Sequence, residues 1–230
     1  MSLKIKTSPK KIISICVWVV LIILFLIYFI RIATFEHSYY AEKEGSERTV
    51  VIEEIETSQE ELDETKPTDD QVKAYTVAPD LPKYLRIAKL GIDARVISVG
   101  INQKGQLGTP NNIFDVGWYD SSAKPGLDGT MLIDGHNGGP HVYGVFKRLP
   151  DLVKGDIIEV QRGDDVVFKY SVVENNTVAL ADANAYMSTA LKSPVPGKQS
   201  VTLITCTGEW SQQQRTYLSR QFTRAVIVEE

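Results

Sequence analysis

The run Thr202-Leu203-Ile204-Thr205-Cys206-Thr207-Gly208-Glu209-Trp210 decides how the rest of the chain is read. Alternation sends Val201, Leu203 and Thr205 to one face of a strand and Thr202, Ile204 and Cys206 to the other. Gly208 and the polar residues after it are expected to stop the run, which puts Cys206 at the mouth of a β-strand. A thiol there has access to solvent, and it becomes a nucleophile only as thiolate, with a cation or base beside it. A lone cysteine is otherwise most often a small buried hydrophobe. What the neighbouring segments can bring to Cys206 therefore decides its role.

Upstream of that run the signals are mostly β. Tyr84 to Ala88 and Ala94 to Ile101 are short β-rich runs around Gly91. Gly117-Trp118-Tyr119 starts another, and Thr130 to Asp134 ends abruptly at Gly135-His136-Asn137-Gly138-Gly139-Pro140. Asp156 to Gln161 and Val166 to Val173 read as a hairpin around Arg162-Gly163-Asp164-Asp165, with Asn175 to Leu180 continuing its second arm. Val142 to Leu149 reads as one or two helical turns and Asp182 to Leu191 as a short helix. Val201 to Cys206 and Gln221 to Val228 are the last strands. Seven or eight short strands without long helices predict a mostly-β, closed or nearly closed barrel.

Barrel strands end at a common rim, where functional residues gather. His136 sits at such an end, flanked by glycine, and a thiolate–imidazolium pair is the standard activation of cysteine. His141 lies in the next loop. An oxyanion needs a donor as well, and arginine supplies a permanent charge in a fixed fork. Arg215, Arg220 and Arg224 all follow Cys206. Asp134 shares a strand face with His136 by alternation, where a carboxylate would stabilise the imidazolium. No Cys or His cluster has metal-ligand spacing, and no glycine-rich phosphate loop precedes a helix.

The 230 residues allow one domain plus extensions, and a net charge of −4 gives no reason to expect a nucleic-acid partner. The two cysteines, Cys16 and Cys206, lie in segments unlikely to meet, so no disulfide is expected. Residues 1–11 carry four lysines and no acid, and Ile12 to Ile30 is apolar or weakly polar throughout before Arg31. That length matches the roughly 20 residues that cross a bilayer as a helix, and the flanking lysines place the N-terminus inside. No small-x-small cleavage site follows, which favours an anchor over residues 12–32 rather than a removed signal peptide. Residues 33–80 are dense in Glu and Asp with few large apolar residues, the composition of an extended, self-repelling stalk. The folded domain is expected over 81–230, starting near Leu81-Pro82-Lys83-Tyr84.

Taken together, Thr202-Leu203-Ile204-Thr205-Cys206, Gly135-His136 at a strand end and Arg220 fourteen residues after the cysteine resemble the sortases, membrane-anchored cysteine transpeptidases of bacterial surfaces. Val116-Gly117-Trp118-Tyr119, Lys124-Pro125-Gly126 and Gly129-Thr130 are similar to sortases grouped as class E or F. The family usually has a small residue before Gly-His, where this chain has Asp134. The resemblance covers roughly Lys83 to Val228 and implies an eight-stranded sortase barrel behind one transmembrane helix. It also implies Cys206 as nucleophile, His136 as acid and base, and Arg220 as oxyanion ligand, with Arg215 as runner-up and Arg224 behind it. Thr205 and Asp134 would line the substrate groove, with the loop Gly208–Gln214 beside it.

The implied substrate is a Leu-Pro-x-Thr-Gly-like sorting signal on a secreted protein, cleaved between Thr and Gly through a thioester. The acceptor would be a cell-wall precursor amine or a pilin lysine, with no cofactor. The implied location is the cell membrane, single-pass, with the N-terminus cytoplasmic and the catalytic domain outside. Two alternatives stay open on the residues alone: a thiol peptidase that hydrolyses the signal, and a non-catalytic barrel that binds a surface peptide.

Overall fold

Alternating apolar residues build eight strands, and the strands close on themselves in the computed structural model, which describes residues 62–102 and 105–229. In chain order they are β1 (Pro82–Ile87), β2 (Ile92–Val99), β3 (Val116–Tyr119), β4 (Thr130–Gly135), β5 (Ile157–Arg162), β6 (Val167–Ala179), β7 (Ser200–Ser211) and β8 (Thr216–Ile227). Around the barrel the order is β1-β2-β3-β4-β7-β8-β6-β5, and β5 pairs with β1 to close it. β2 and β3 run parallel, as do β4 and β7; the other pairs are antiparallel. The interior is filled by inward-facing residues such as Leu85, Ile87, Val96, Trp118, Ile133, Val160, Tyr170, Val201 and Leu203. This is the mostly-β closed barrel with short helices expected from the sequence. The anchor expected over 12–32 lies outside the described residues.

Among the described residues, two α-helices lie outside the barrel wall: α1 (Asp69–Ala74) and α2 (Leu180–Ala190). α2 packs on β8 and β6, and at its C-terminal end the buried Thr202 hydroxyl of β7 donates to the Ala190 carbonyl at 2.7 Å. Val142 to Leu149, expected as helical, is a series of turns leading into a 3-10 turn at Leu149–Asp151.

Two regions differ from the sequence expectation: the β7–β8 hairpin, where β8 also begins at Thr216 rather than Gln221, and the start of the domain. β7 does not stop at Gly208. It bulges there, with Gly208 at φ +83°, and then pairs again with β8 at Trp210–Tyr217 and Ser211–Thr216. The other difference is at the start of the domain. Part of the expected stalk, from Leu62 to Asp80, forms a strap against the barrel instead. Asp63 bridges to Asn112, its N–H donating to Asn111 O at 3.1 Å. Thr68 and Gln71 close a capping box at the start of α1. The Tyr75 hydroxyl then donates to Val96 O at 2.5 Å, and the Tyr84 hydroxyl of β1 donates to Val72 O. Arg95 lies over the Tyr75 ring and grips Asp115 through two hydrogen bonds of 2.9 and 2.7 Å. Two tyrosine hydrogen bonds and the Arg95 contact with the Tyr75 ring thus offset the ordering cost of an otherwise polar segment.

Candidate active site

The parallel pairing of β4 with β7 sets Asp134 beside Ile204. Two residues further along each chain stand His136 and Cys206. On the other side of β7, the antiparallel register sets Cys206 directly opposite Arg220. Three expected residues, distant in sequence, thus meet on adjacent strands at one end of the barrel.

His136 emerges from β4 through Gly135, and only glycine fits there. A Cβ at Gly135 would lie 2.5 Å from the Phe146 ring. Phe146 in turn donates its N–H to His136 O at 2.9 Å. The imidazole Nε2 is 2.8 Å from the carbonyl of Pro110. A carbonyl only accepts, so Nε2 carries a hydrogen and Nδ1 is the nitrogen able to exchange a proton.

Cys206 is a free, half-buried thiol. Burial pushes it above the usual thiol range; the Arg220 charge pulls it down and the Asp134 charge pushes it up. Arg220 is held by its own strand, donating to Tyr217 O at 2.9 Å, Ser219 O at 3.0 Å and Thr216 Oγ1 at 3.2 Å.

Asp134 is half-buried and accepts a hydrogen bond of 2.6 Å from the Thr109 hydroxyl. Burial raises its carboxyl above the usual range, opposed by Thr109, by the His136 and Arg220 charges and by the Gly135 N–H.

Two cavities flank the thiol. One, of about 530 Å³, is walled by His136, the 137–140 loop, Trp210, Tyr217 and Leu62. The other, of about 680 Å³, holds Arg220 and lies between α2 and a wall of Ile101, Gln106, Leu107 and Thr109. Thr109, Asp134 and Cys206 belong to both and mark their junction.

The remaining candidates are placed elsewhere. Arg215 sits exposed in the β7–β8 turn at φ +51°. Arg224 is buried in structural work: it pairs with Glu174 at 2.5 Å and donates to Thr189 O and Lys192 O at the end of α2. Thr205 lines the second cavity, but its hydroxyl donates to Gly135 O at 2.7 Å, so it ties β7 to β4 just ahead of His136. His141 lies in an exposed loop, where its N–H donates to Glu64 Oε1 at 2.9 Å. The sequence did not point to Thr109, Pro110 or Leu62. The Thr109-Pro110 dipeptide reads only as a turn, and Leu62 stands in the acidic stretch.

A family model, the Sortase domain, matches residues 85–227. No curated protein matches the chain. Among solved structures, a lid mutant of sortase A from Corynebacterium diphtheriae is 23% identical, with 70% of this chain and 77% of that chain covered and a TM-score of 0.49. A Streptococcus pneumoniae sortase C is 20% identical, with 73% and 76% covered and a TM-score of 0.49. A Clostridium perfringens sortase D5 transpeptidase is 19% identical, with 71% and 91% covered and a TM-score of 0.47.

Proposed function

From the premise that the chain belongs to the sortase family, whose Sortase domain model spans residues 85–227, we propose that it is a membrane-anchored transpeptidase. It cleaves a Leu-Pro-x-Thr-Gly-like sorting signal between Thr and Gly and joins the new Thr carboxyl to an amine. The observation that carries the reading is the register that sets Cys206 opposite Arg220, with His136 at the end of the neighbouring parallel strand.

The cavity that holds Arg220 suits the sorting signal, because Ile101, Leu107, Leu180, Met187 and Phe222 offer apolar contacts to Leu and Pro side chains. Cys206 Sγ, as thiolate, attacks the Thr carbonyl carbon. The Arg220 guanidinium stabilises the oxyanion that develops. The C–N bond breaks, His136 Nδ1 as imidazolium protonates the departing glycine amine, and a thioester remains on Cys206. An acceptor amine then enters by the His136 side and gives its proton to Nδ1. It attacks the thioester carbon and expels the thiolate. The peptide-bond energy is kept in the thioester, so the exchange needs no nucleotide.

Acceptors of the expected kind are a cell-wall precursor amine or a pilin lysine, on the outer side of a membrane reached by an anchor over 12–32. The motif similarity to class E or F sortases belongs to the same proposal.

Intact-mass analysis of the full chain in detergent, with a Leu-Pro-x-Thr-Gly peptide library and a primary amine, tests it. The expected result is an acyl adduct on Cys206 followed by an amide product. Hydrolysis alone, with amine present, would replace transpeptidation by peptidase action. A thiol that alkylates but never acylates would sink both.

A further inference from the structure

We infer that Thr109 is a positioning residue for this reaction, acting through the Asp134 carboxylate that it holds between Cys206, His136 and Arg220. The inference rests on the transpeptidase reading above and adds to it a residue outside the expected Cys, His and Arg set.

The geometry is specific. The Thr109 hydroxyl donates to Asp134 Oδ2 at 2.6 Å, and the next residue, Pro110, takes the His136 Nε2 hydrogen at 2.8 Å. Two consecutive residues of one loop thus clamp two functional groups at the end of β4. The clamp has its own supports. Gly108 N–H donates to Gly100 O at 2.8 Å. Pro110 packs where Gly117 leaves room, since a Cβ there would lie 2.9 Å from Pro110 Cδ. Asn111 O accepts from Asp63 N–H of the strap. Thr109 stands with Asp134 and Cys206 at the junction of the two cavities, next to where the attacked carbonyl carbon must lie.

A carboxylate beside a nucleophilic thiol opposes formation of the thiolate, so its presence needs a reason. The charged and titratable groups facing Asp134 are His136 from its own chain direction, Cys206 from β7 and Arg220 from β8; the Thr109 hydroxyl faces it from the loop. Of these, Cys206 and His136 are the groups whose charged forms the reaction needs and whose charges are not permanent, and only the His136 charge is opposite in sign to the carboxylate's. An ionised carboxylate here attracts the positive charge that His136 carries when it protonates the leaving amine, at some cost to the thiolate that Arg220 offsets. Burial works against that ionisation, and the Thr109 hydroxyl is the first of the groups opposing burial.

The test uses the full chain in detergent as wild type, Thr109→Val, Thr109→Ala, Thr109→Ser and Asp134→Asn, plus Thr109→Val in the Asp134→Asn background. Two quantities are followed against pH: the ¹³C shift of the Asp134 carboxyl and kcat/KM for the sorting-signal peptide. Removing one hydrogen bond to a charged group should move the Asp134 titration up by about one pH unit in Thr109→Val and Thr109→Ala. The acidic limb of kcat/KM should follow, with about a tenfold loss on that limb. Thr109→Ser should restore both, and Thr109→Val should add less than about twofold to Asp134→Asn. An Asp134 titration unmoved in both Val and Ala variants overturns the inference, as does a Thr109→Val loss undiminished without the carboxylate. Should the wild type form no thioester, the transpeptidase reading fails, while the ¹³C titration still decides whether Thr109 governs Asp134.

Discussion

Cys206 lies between charges of opposite sign, and the two neighbours pull its thiol in opposite directions. The consequence is measurable without any substrate. In Asp134→Asn the thiol loses a negative neighbour, so its pKa falls and the pH profile of iodoacetamide alkylation moves to lower pH. In Arg220→Ala it loses a positive neighbour, and the profile moves to higher pH. A shift of about one pH unit either way corresponds to roughly 1.4 kcal/mol. If both variants shift in the same direction, the assignment of charges around Cys206 is wrong. Arg224 gives the contrast. It sits four residues further along β8, is 5% exposed and is spent on Glu174 and the end of α2. Arg224→Met should lower stability by about 2 kcal/mol, through carbonyls and a carboxylate left without their donor. It should leave the alkylation profile where it was; denaturant melts and alkylation on the same sample separate the two effects.

At the scale of elements, the end of β4 is shaped by what glycine lacks. Gly135→Ala drives a methyl into the Phe146 ring, and Phe146 is bonded to the His136 carbonyl. The expected outcome is a loss of about 1–3 kcal/mol in a urea melt, with kcat falling more than KM rises because His136 is displaced. The strap makes a second element-level prediction. Glu64 Oε1 accepts from the N–H groups of His141 and Val142, and Asp63 is joined to Asn111 and Asn112. Glu64→Ala should therefore speed hydrogen exchange at His141 and Val142 without changing exchange at β7.

These elements also divide what could be read from the sequence from what could not. Period-two alternation put Val201 and Leu203 on one face and Cys206 on the other, because a strand with one face in a core leaves that pattern; the barrel makes the first face its interior. Gly135-His136 read correctly as a strand end, since glycine breaks the pattern where the chain turns. The strap escaped because its acidic composition outweighs its one tyrosine, Tyr75, although Thr68 and Gln71 do carry the spacing of a capping box. The continuation of β7 beyond Gly208 escaped for another reason: a bulge and a strand end look alike at a single glycine. The choice among Arg215, Arg220 and Arg224 depended on hairpin register, which sequence spacing does not fix once a bulge intervenes.

The barrel core carries a buried tyrosine that ties stability to pH. Tyr170 is 1% exposed, and burial holds its hydroxyl far above the ordinary tyrosine range. In the unfolded chain it ionises near pH 10. A proton bound more tightly in the folded state contributes stability that is complete below that pH and lost as pH rises above it. Melting temperature should thus fall steeply above about pH 10, and Tyr170→Phe should flatten that fall. An alkaline fall identical in the variant would assign the effect to other tyrosines.

The order of strands around the barrel bears on when the thiol can become active. β8 is the last strand in sequence, yet it is inserted between β6 and β7. β4 and β7 pair in parallel across a separation of seventy residues, from Thr130 to Ser200. Contacts so distant along the chain form late, because loop closure must precede any reward from pairing. A growing chain presents His136 first, Cys206 later and Arg220 last. Until β4 pairs with β7 and β8 slots into its gap, Cys206 has neither His136 at the end of the neighbouring strand nor a closed wall beside it. On the proposed reading of Cys206 as nucleophile, completion of the fold switches it on, and unfinished molecules would be poor at acylating themselves on passing peptides.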